Sequence, residues 1–375
     1  MRYQGSRWRR PLMVMVVMVA LAAACGGDDS GGGGAAEGGS TADAIQVAFV
    51  YVGPIGDAGW TKRHDDGRLA LEEALGDQVE TTFLESVPEG AESEAVFDRL
   101  AREGNDLIFG TSFGYMDQMA AVAEDYPDTV FMHATGFTVA DNLGTYFGAA
   151  EEARYLSGMA AGAVTEANQI GYVAAFPIPE VLRGINAFTL GAQRVNPDVE
   201  VEVVWTSTWF DPVIEKEAAE SLLDGGADVI AQHQDTPSAG EAAEEAGAFW
   251  VGYNDDMSQF APDAWLTAPV WDWGPFYIKT VEAVMAGTWK TEQYYGNMAD
   301  GLVTLAAVSD KVPQAVRDQI AEVQAKMVAG EFAPFTGPIN KQDGSVAYAD
   351  GAVAELGELL GMDYFVEGVV GSATG

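Results

Sequence analysis

The chain has 375 residues, with 19 basic and 57 acidic side chains, a net charge of −38 at pH 7 and a single cysteine. That length exceeds one ordinary core and suits two lobes. So negative a chain argues against nucleic-acid binding and against attraction to anionic lipid, and one thiol cannot build a disulfide framework or a paired-cysteine zinc site.

Arg2, Arg7, Arg9 and Arg10 precede an apolar stretch, Leu12 to Ala24, that has the length of a signal-peptide core and is too short to span a bilayer comfortably. It ends in "LAAAC", small residues before the lone cysteine. The pattern predicts a lipoprotein signal, residues 1–24, cleaved before Cys25, whose thiol then carries the lipid anchor. One departure is that Ala22 stands three residues before the cysteine, where such signals usually place Leu; Leu21 lies one further back. Residues 25–44 are rich in Gly and Ser and are expected to form a flexible tether, because such a composition buries too little apolar area to fold.

From Ile45 short apolar runs alternate with amphipathic stretches. Strands are predicted at "IQVAFVYV" (45–52), "DLIFG" (106–110), "TVFMHA" (129–134), "QIGYVAAF" (169–176), "VEVVWT" (201–206), "ADVIAQ" (227–232) and "AFWVGY" (248–253). Helices are predicted over 90–104, 149–164, 211–226 and 274–287. Continuous apolar strands separated by helices predict an α/β protein with parallel sheets covered on both faces. One β-α series runs from 45 to 146 and a second from 147 to 268. Two doubly wound lobes of this kind place the loops that leave their strands around a shared crevice.

Those loops carry a common chemistry. They read "GPIGDAGW", "TSFGYMD", "STWFDP", "HQDTPS", "NDDM" and "TAPVWDW", each with an aromatic residue, an acid or both. Any one can be explained by loop polarity or helix capping, as with Asp211 before Pro212; the recurrence predicts a ligand cleft. No GxxxxGK[ST] loop, HExxH pair or GxSxG elbow is present, and His64, His133 and His233 are far apart in sequence. No catalytic residue, metal or cofactor is expected. Of the histidines, His233 opens a cleft loop and is the best placed as a ligand contact.

Five segments carry a resemblance: "GPIGDAGWTKRHDDGR", "NLGTYFGAAEEARYLSGMAAG", "GYVAAFPIPEVLRGINAFTLGAQRVNP", "WTSTWFDPVIEKEAAESLLDGGADVIAQH" and "GPIN…DG…MDYFVEGVVG". Together they resemble the basic membrane protein family of ABC-transporter substrate-binding lipoproteins, which includes purine-nucleoside receptors. The resemblance implies a type I periplasmic-binding-protein fold: two doubly wound α/β lobes, a ligand cleft between them and three crossover strands. Residues 45–146 would form lobe 1 and 147–268 lobe 2. Residues 269–310 would return to lobe 1, and 311–375 would complete lobe 2. It also implies a monomer outside the cell membrane that hands a small molecule to a permease and an ATPase. A ligand sensor without transport is the alternative role.

The resemblance further implies a purine held between two rings, Trp60 after Asp57 in the first loop and Trp209 before Asp211 in the second lobe. Stacking a base on an aromatic side chain is worth about 1–3 kcal/mol, and an ionised Asp57 would accept an N–H at the base edge. Thr61, Tyr115, Asp117, Asn254 and Asp256 fall at further contact positions. Nucleoside-binding relatives typically carry a lysine for the ribose hydroxyls where this chain has Trp271. An indole satisfies hydroxyls poorly and fills the sugar's space, so a free nucleobase is expected, with the nucleoside as alternative.

Overall fold

A computed structural model describes residues 44–375. The leader, Cys25 and nearly all of the expected tether lie outside the described residues. The first half alternates strictly: β1 (Ile45–Val50), α1 (Trp60–Leu75), β2 (Val79–Leu84), α2 (Ala91–Arg102), β3 (Leu107–Gly110), α3 (Met116–Asp125), β4 (Val130–Ala134) and β5 (Leu143–Gly148). The second half repeats the scheme with α4 (Ala150–Gly162), β6 (Gln169–Ala174), α5 (Pro179–Val195), β7 (Glu200–Trp205), α6 (Pro212–Asp224), β8 (Val229–His233), α7 (Ser238–Ala246), β9 (Phe249–Val251) and β10 (Trp265–Thr267).

The chain then returns through β11 (Pro269–Trp271), α8 (Gly274–Met285), β12 (Gln293–Gly296) and β13 (Val303–Leu305). It finishes with α9 (Gln314–Val328), β14 (Ile339–Asn340), β15 (Val346–Tyr348), α10 (Leu356–Leu360) and β16 (Val369–Val370). Strand order in the first sheet is β12-β5-β4-β3-β1-β2 and in the second β10-β9-β8-β6-β7-β16, with every pairing parallel. The protein is thus a two-lobed α/β fold of the type I periplasmic-binding kind. The chain passes between the lobes three times: after β5, between β10 and β11, and after β13, whose antiparallel pairing with β11 ties two of the crossings together.

The strands follow the residue types. β3, β5 and β8 are buried along their whole length, as parallel strands covered on both faces must be. β2, "VETTFL", lies at a sheet edge and keeps its polar side chains outward. Helix α4 is buried almost throughout and crosses α5 so closely that a Cβ on Gly158 or Gly191 would collide with the partner's main chain, at Phe188 O or Tyr155 O. Among the described residues no helix is long and apolar enough to cross a membrane.

In each sheet the strand order reverses once, between β1 and β3 in the first and between β6 and β8 in the second. Ligands in open α/β sheets bind outside the carboxyl ends of the strands at such reversals. The loops after β1, β3, β6 and β8 are therefore the ones to inspect.

Candidate functional site

All four of those loops meet at one cavity. Lobe 1 contributes Val52 and Trp60 after β1, Ser112 and Phe113 after β3, and Thr135 after β4. Lobe 2 contributes Glu180 after β6, Trp209 after β7, His233 and Asp235 at and after β8, and Tyr253 and Asn254 after β9.

The β1 loop is built around Asp57. Gly59, at the start of α1, has no side chain to cap the helix, and Asp57 does so from two residues earlier. Its Oδ1 accepts from the Gly59 and Lys62 amides at 2.8 and 3.0 Å, and its Oδ2 accepts from the Thr61 amide at 2.7 Å. Burial pushes the Asp57 carboxyl up to about 6, and these three amides oppose the shift. The cap holds Trp60 at the first helical position. There its Nε1 donates to Thr111 O at 2.7 Å, and its ring stands edge-on to His64, Trp273 and Trp271 at 4.3, 5.7 and 6.1 Å. Trp209 comes from the other lobe, tilted on Phe176 at 4.9 Å, and its Nε1 donates to Glu89 Oε1 at 3.3 Å.

The lobes are also tied by charge. Lys62 Nζ lies 3.0 Å from Asp255 and Arg63 Nη1 3.6 Å from it, while Arg63 Nε donates to Trp271 O at 2.7 Å. Deeper in, the lobe 2 wall is acidic and buried. Burial raises Glu180 to about 7, with Arg183 opposing and Glu89 adding to the shift. Burial, and then the charges of Asp57 and Glu215, raise Asp235 well above the usual range. His233 is held neutral, its pKa pushed well down by burial and then by Arg154 and Arg183.

Most lining polar groups already have partners. Asn254 donates to Asp235 Oδ1 and accepts from Trp271 Nε1, both at 3.0 Å, and Ser112 Oγ donates to Glu89 at 2.5 Å. The deeply buried lining atoms without a protein partner are Thr135 Oγ1, Glu180 Oε2 and His233 Nδ1. Among the described residues no group of His, Cys, Asp and Glu is placed to hold a metal ion.

Residues 44–333 match the Bmp family, described as ABC transporter substrate-binding protein, PnrA-like. The chain belongs to this family. A purine-binding protein of Brucella abortus (strain 2308) is 48% identical over 327 residues, covering 87% of this chain and 93% of that protein. A putative ABC transporter glucose-binding protein of Haloferax volcanii is 47% identical over 300 residues, 80% of this chain and 76% of that protein. A solved solute-binding protein of an ABC transporter system from Aeropyrum pernix K1 shares the fold, with a TM-score of 0.67 at 22% identity over 79% of this chain and 93% of that one. The protein is therefore the substrate-binding component of an ABC transporter, acting on the extracytoplasmic side with a permease and an ATPase.

In this substrate-binding protein the structure brings together Trp60, Trp209, His233 and Asn254 of the residues singled out in the sequence. Asp57 and Thr61 sit just behind the cavity wall, Asp57 with its oxygens committed to the helix cap. Trp271 is also one layer back, buried, stacked on Trp273 at 4.8 Å and bonded to Asn254. The other three lie elsewhere. Tyr115 is a core residue of lobe 1, fully buried edge-on to Phe97 at 5.4 Å with its hydroxyl donating to Val87 O. Asp117 and Asp256 are exposed outside the cavity, the latter accepting from the Ser258 amide. Sequence reasoning missed Glu180, Asp235, Tyr253, Phe113 and Thr135 as lining residues. For Glu180 a signal existed, since "FPIPE" directly follows a strand at the sheet reversal.

Proposed function

We propose that this substrate-binding protein captures a purine-type ligand, preferring a free nucleobase to its nucleoside, and delivers it for import. The observation that carries the reading is one cavity lined from opposite lobes by two indoles, Trp60 and Trp209. A flat base stacks on such faces in any in-plane orientation, and each contact is worth about 1–3 kcal/mol. The purine-binding relative at 48% identity supports the same class. The base preference follows from the resemblance, which puts a ribose-binding lysine where this chain has Trp271, an indole whose N–H is committed to Asn254.

The glucose-binding name of the Haloferax relative makes a hexose the second reading. Against it, a hexose buries many hydroxyls, each costing about 1–3 kcal/mol when left without a partner. The buried lining atoms without a partner are Thr135 Oγ1, Glu180 Oε2 and His233 Nδ1, too few for the hydroxyls of a hexose. Isothermal titration with adenine, adenosine, guanine, guanosine and glucose tests the assignment. Bases are expected to bind more tightly than their nucleosides, and glucose not measurably. Tighter binding of the nucleosides overturns the base preference, and binding of glucose alone overturns the purine class.

The anchor is proposed at Cys25, lipidated after removal of residues 1–24, with the Gly/Ser-rich segment that follows as the tether. The protein is expected in the membrane fraction and Cys25→Ser in the soluble fraction. Membrane attachment of Cys25→Ser unchanged from wild type would rule out the thiol as the anchor.

A further inference from the structure

Resting on the purine reading, we propose that Glu180 and His233 form the hydrogen-bonding edge of the cleft, Glu180 Oε2 accepting the imidazole-ring N–H of a nucleobase held between Trp60 and Trp209. This moves the edge-reading role from lobe 1 to lobe 2. Asp57 is less well placed for it, being buried behind the wall with three of its acceptor sites on the amides of the helix start.

Glu180 lines the cavity with a side chain only 11% exposed, and its Oε2 has no protein partner. A buried carboxylate oxygen without a donor is costly, and a ligand N–H would satisfy it. Beside it, His233 places Nε2 4.0 Å from Glu180 Oε1, with a side chain 6% exposed. The tautomer follows from what lies on its other side. Arg154 is fully buried, its guanidinium over the Tyr253 ring at 3.6 Å, with Nε and Nη2 unpartnered. A point one bond from Gly184 Cα lies 3.6 Å from Arg154 Nε and 3.7 Å from His233 Nδ1, so the two nitrogens border one small space.

Arginine only donates, so the side of His233 that meets it is best occupied by a bare, accepting Nδ1. The proton then sits on Nε2, the nitrogen on the Glu180 side, 4.0 Å from Oε1 and beyond hydrogen-bond length. Glu180 Oε2 is the buried acceptor left for the ligand, with the His233 ring beside the same carboxylate. Arg183, already bonded to Glu151 at 3.1 Å, adds positive potential to the same carboxylate. A nucleoside has no hydrogen on its glycosidic nitrogen, so this acceptor selects a base whose imidazole ring is unsubstituted. His233 is a positioning residue in this arrangement.

The test is titration at pH 8, where Glu180 is ionised, of wild type, Glu180→Gln, His233→Leu and His233→Gln with adenine and 9-methyladenine. Wild type is expected to prefer adenine by about tenfold, the scale of one charge-assisted hydrogen bond. Glu180→Gln is expected to lose about tenfold for adenine and to bind the two compounds alike. His233→Leu should shrink the preference, and His233→Gln, which keeps an N–H donor, should restore it. The ratio of the two affinities is insensitive to any unfolded fraction, so a destabilised variant still reports. A preference retained in Glu180→Gln means that the methyl group is rejected by shape and overturns the proposal while leaving the purine reading intact. Wild type binding neither compound overturns both.

Discussion

Ligand-free protein is expected to lose stability as pH rises from about 5 to about 7, most steeply above pH 6. Asp57 is raised from 3.8 to about 6, and Glu180 and Glu215 from 4.5 to about 7, with burial as the leading cause each time. Asp235 shifts in the same direction, whereas burial lowers His64, His133 and His233, which oppose the acids below about pH 6.5 and leave the steepest loss above pH 6. For an acid raised on folding, the folded chain still holds a proton in the window where the unfolded chain has released it. Stability therefore falls with pH across that window and levels off above the folded-state pKa. A pKa moved from 4.5 to about 7 is worth at most roughly 3 kcal/mol. Relief of self-repulsion in so acidic a chain adds to the same slope. Glu215→Gln separates the two contributions. Glu215 is fully buried and accepts from the Asp211 and Thr236 amides, so the variant should melt with a shallower pH dependence although the net charge hardly changes. A melting temperature flat or rising between pH 5 and 7, or a Glu215→Gln slope equal to wild type, would sink this account.

Trp60→Ala and Trp209→Ala are each expected to weaken purine binding by about 1–3 kcal/mol, roughly tenfold or more in Kd. The two are not equivalent. Trp60 supports a buried aromatic group with His64, Trp271 and Trp273, so its removal also costs folding stability. Trp209 is half-buried, leaning on Phe176 and reaching Glu89 across the cleft, and reports on binding more cleanly. Trp209→Phe should recover much of the loss, because a phenyl ring keeps a π-face and gives up only the N–H. Normal affinity in both alanine variants, with circular dichroism unchanged, would remove the stacking mechanism.

The architecture was legible because parallel strands buried on both faces read as unbroken apolar runs, as in "DLIFG" and "ADVIAQ". β2, β5 and β12 do not stand out in that way. β2 is an edge strand with threonines and a glutamate, β5 is interrupted by glycine, and β12 is four residues long. At the site, Trp60 and Trp209 could be read because both sit in loops leaving strands. Tyr115 misled for the same reason: its loop does face the crevice, but a short helical turn points the ring back among Phe97 and Val87. Glu180 and His233 matter through what they lack, a partner for Oε2 and for Nδ1, and that is visible only once neighbours are known in three dimensions. Asp57 shows the converse, since a sequence cannot reveal that a carboxylate is already spent on three amides.

The pairing of β12 with β5 has a bearing on how the chain matures. Residues 293–296 complete the sheet begun at residue 45, with all of β6 to β10 made in between. A ribosome working from the amino end thus releases an unfinished first half, whose fully buried β5 waits as an open edge while some 150 further residues emerge. Exposed apolar edges invite pairing with other chains. The second sheet waits too, for β16 beside β7 at the very end of the chain, so neither lobe is finished until the chain has crossed back into it.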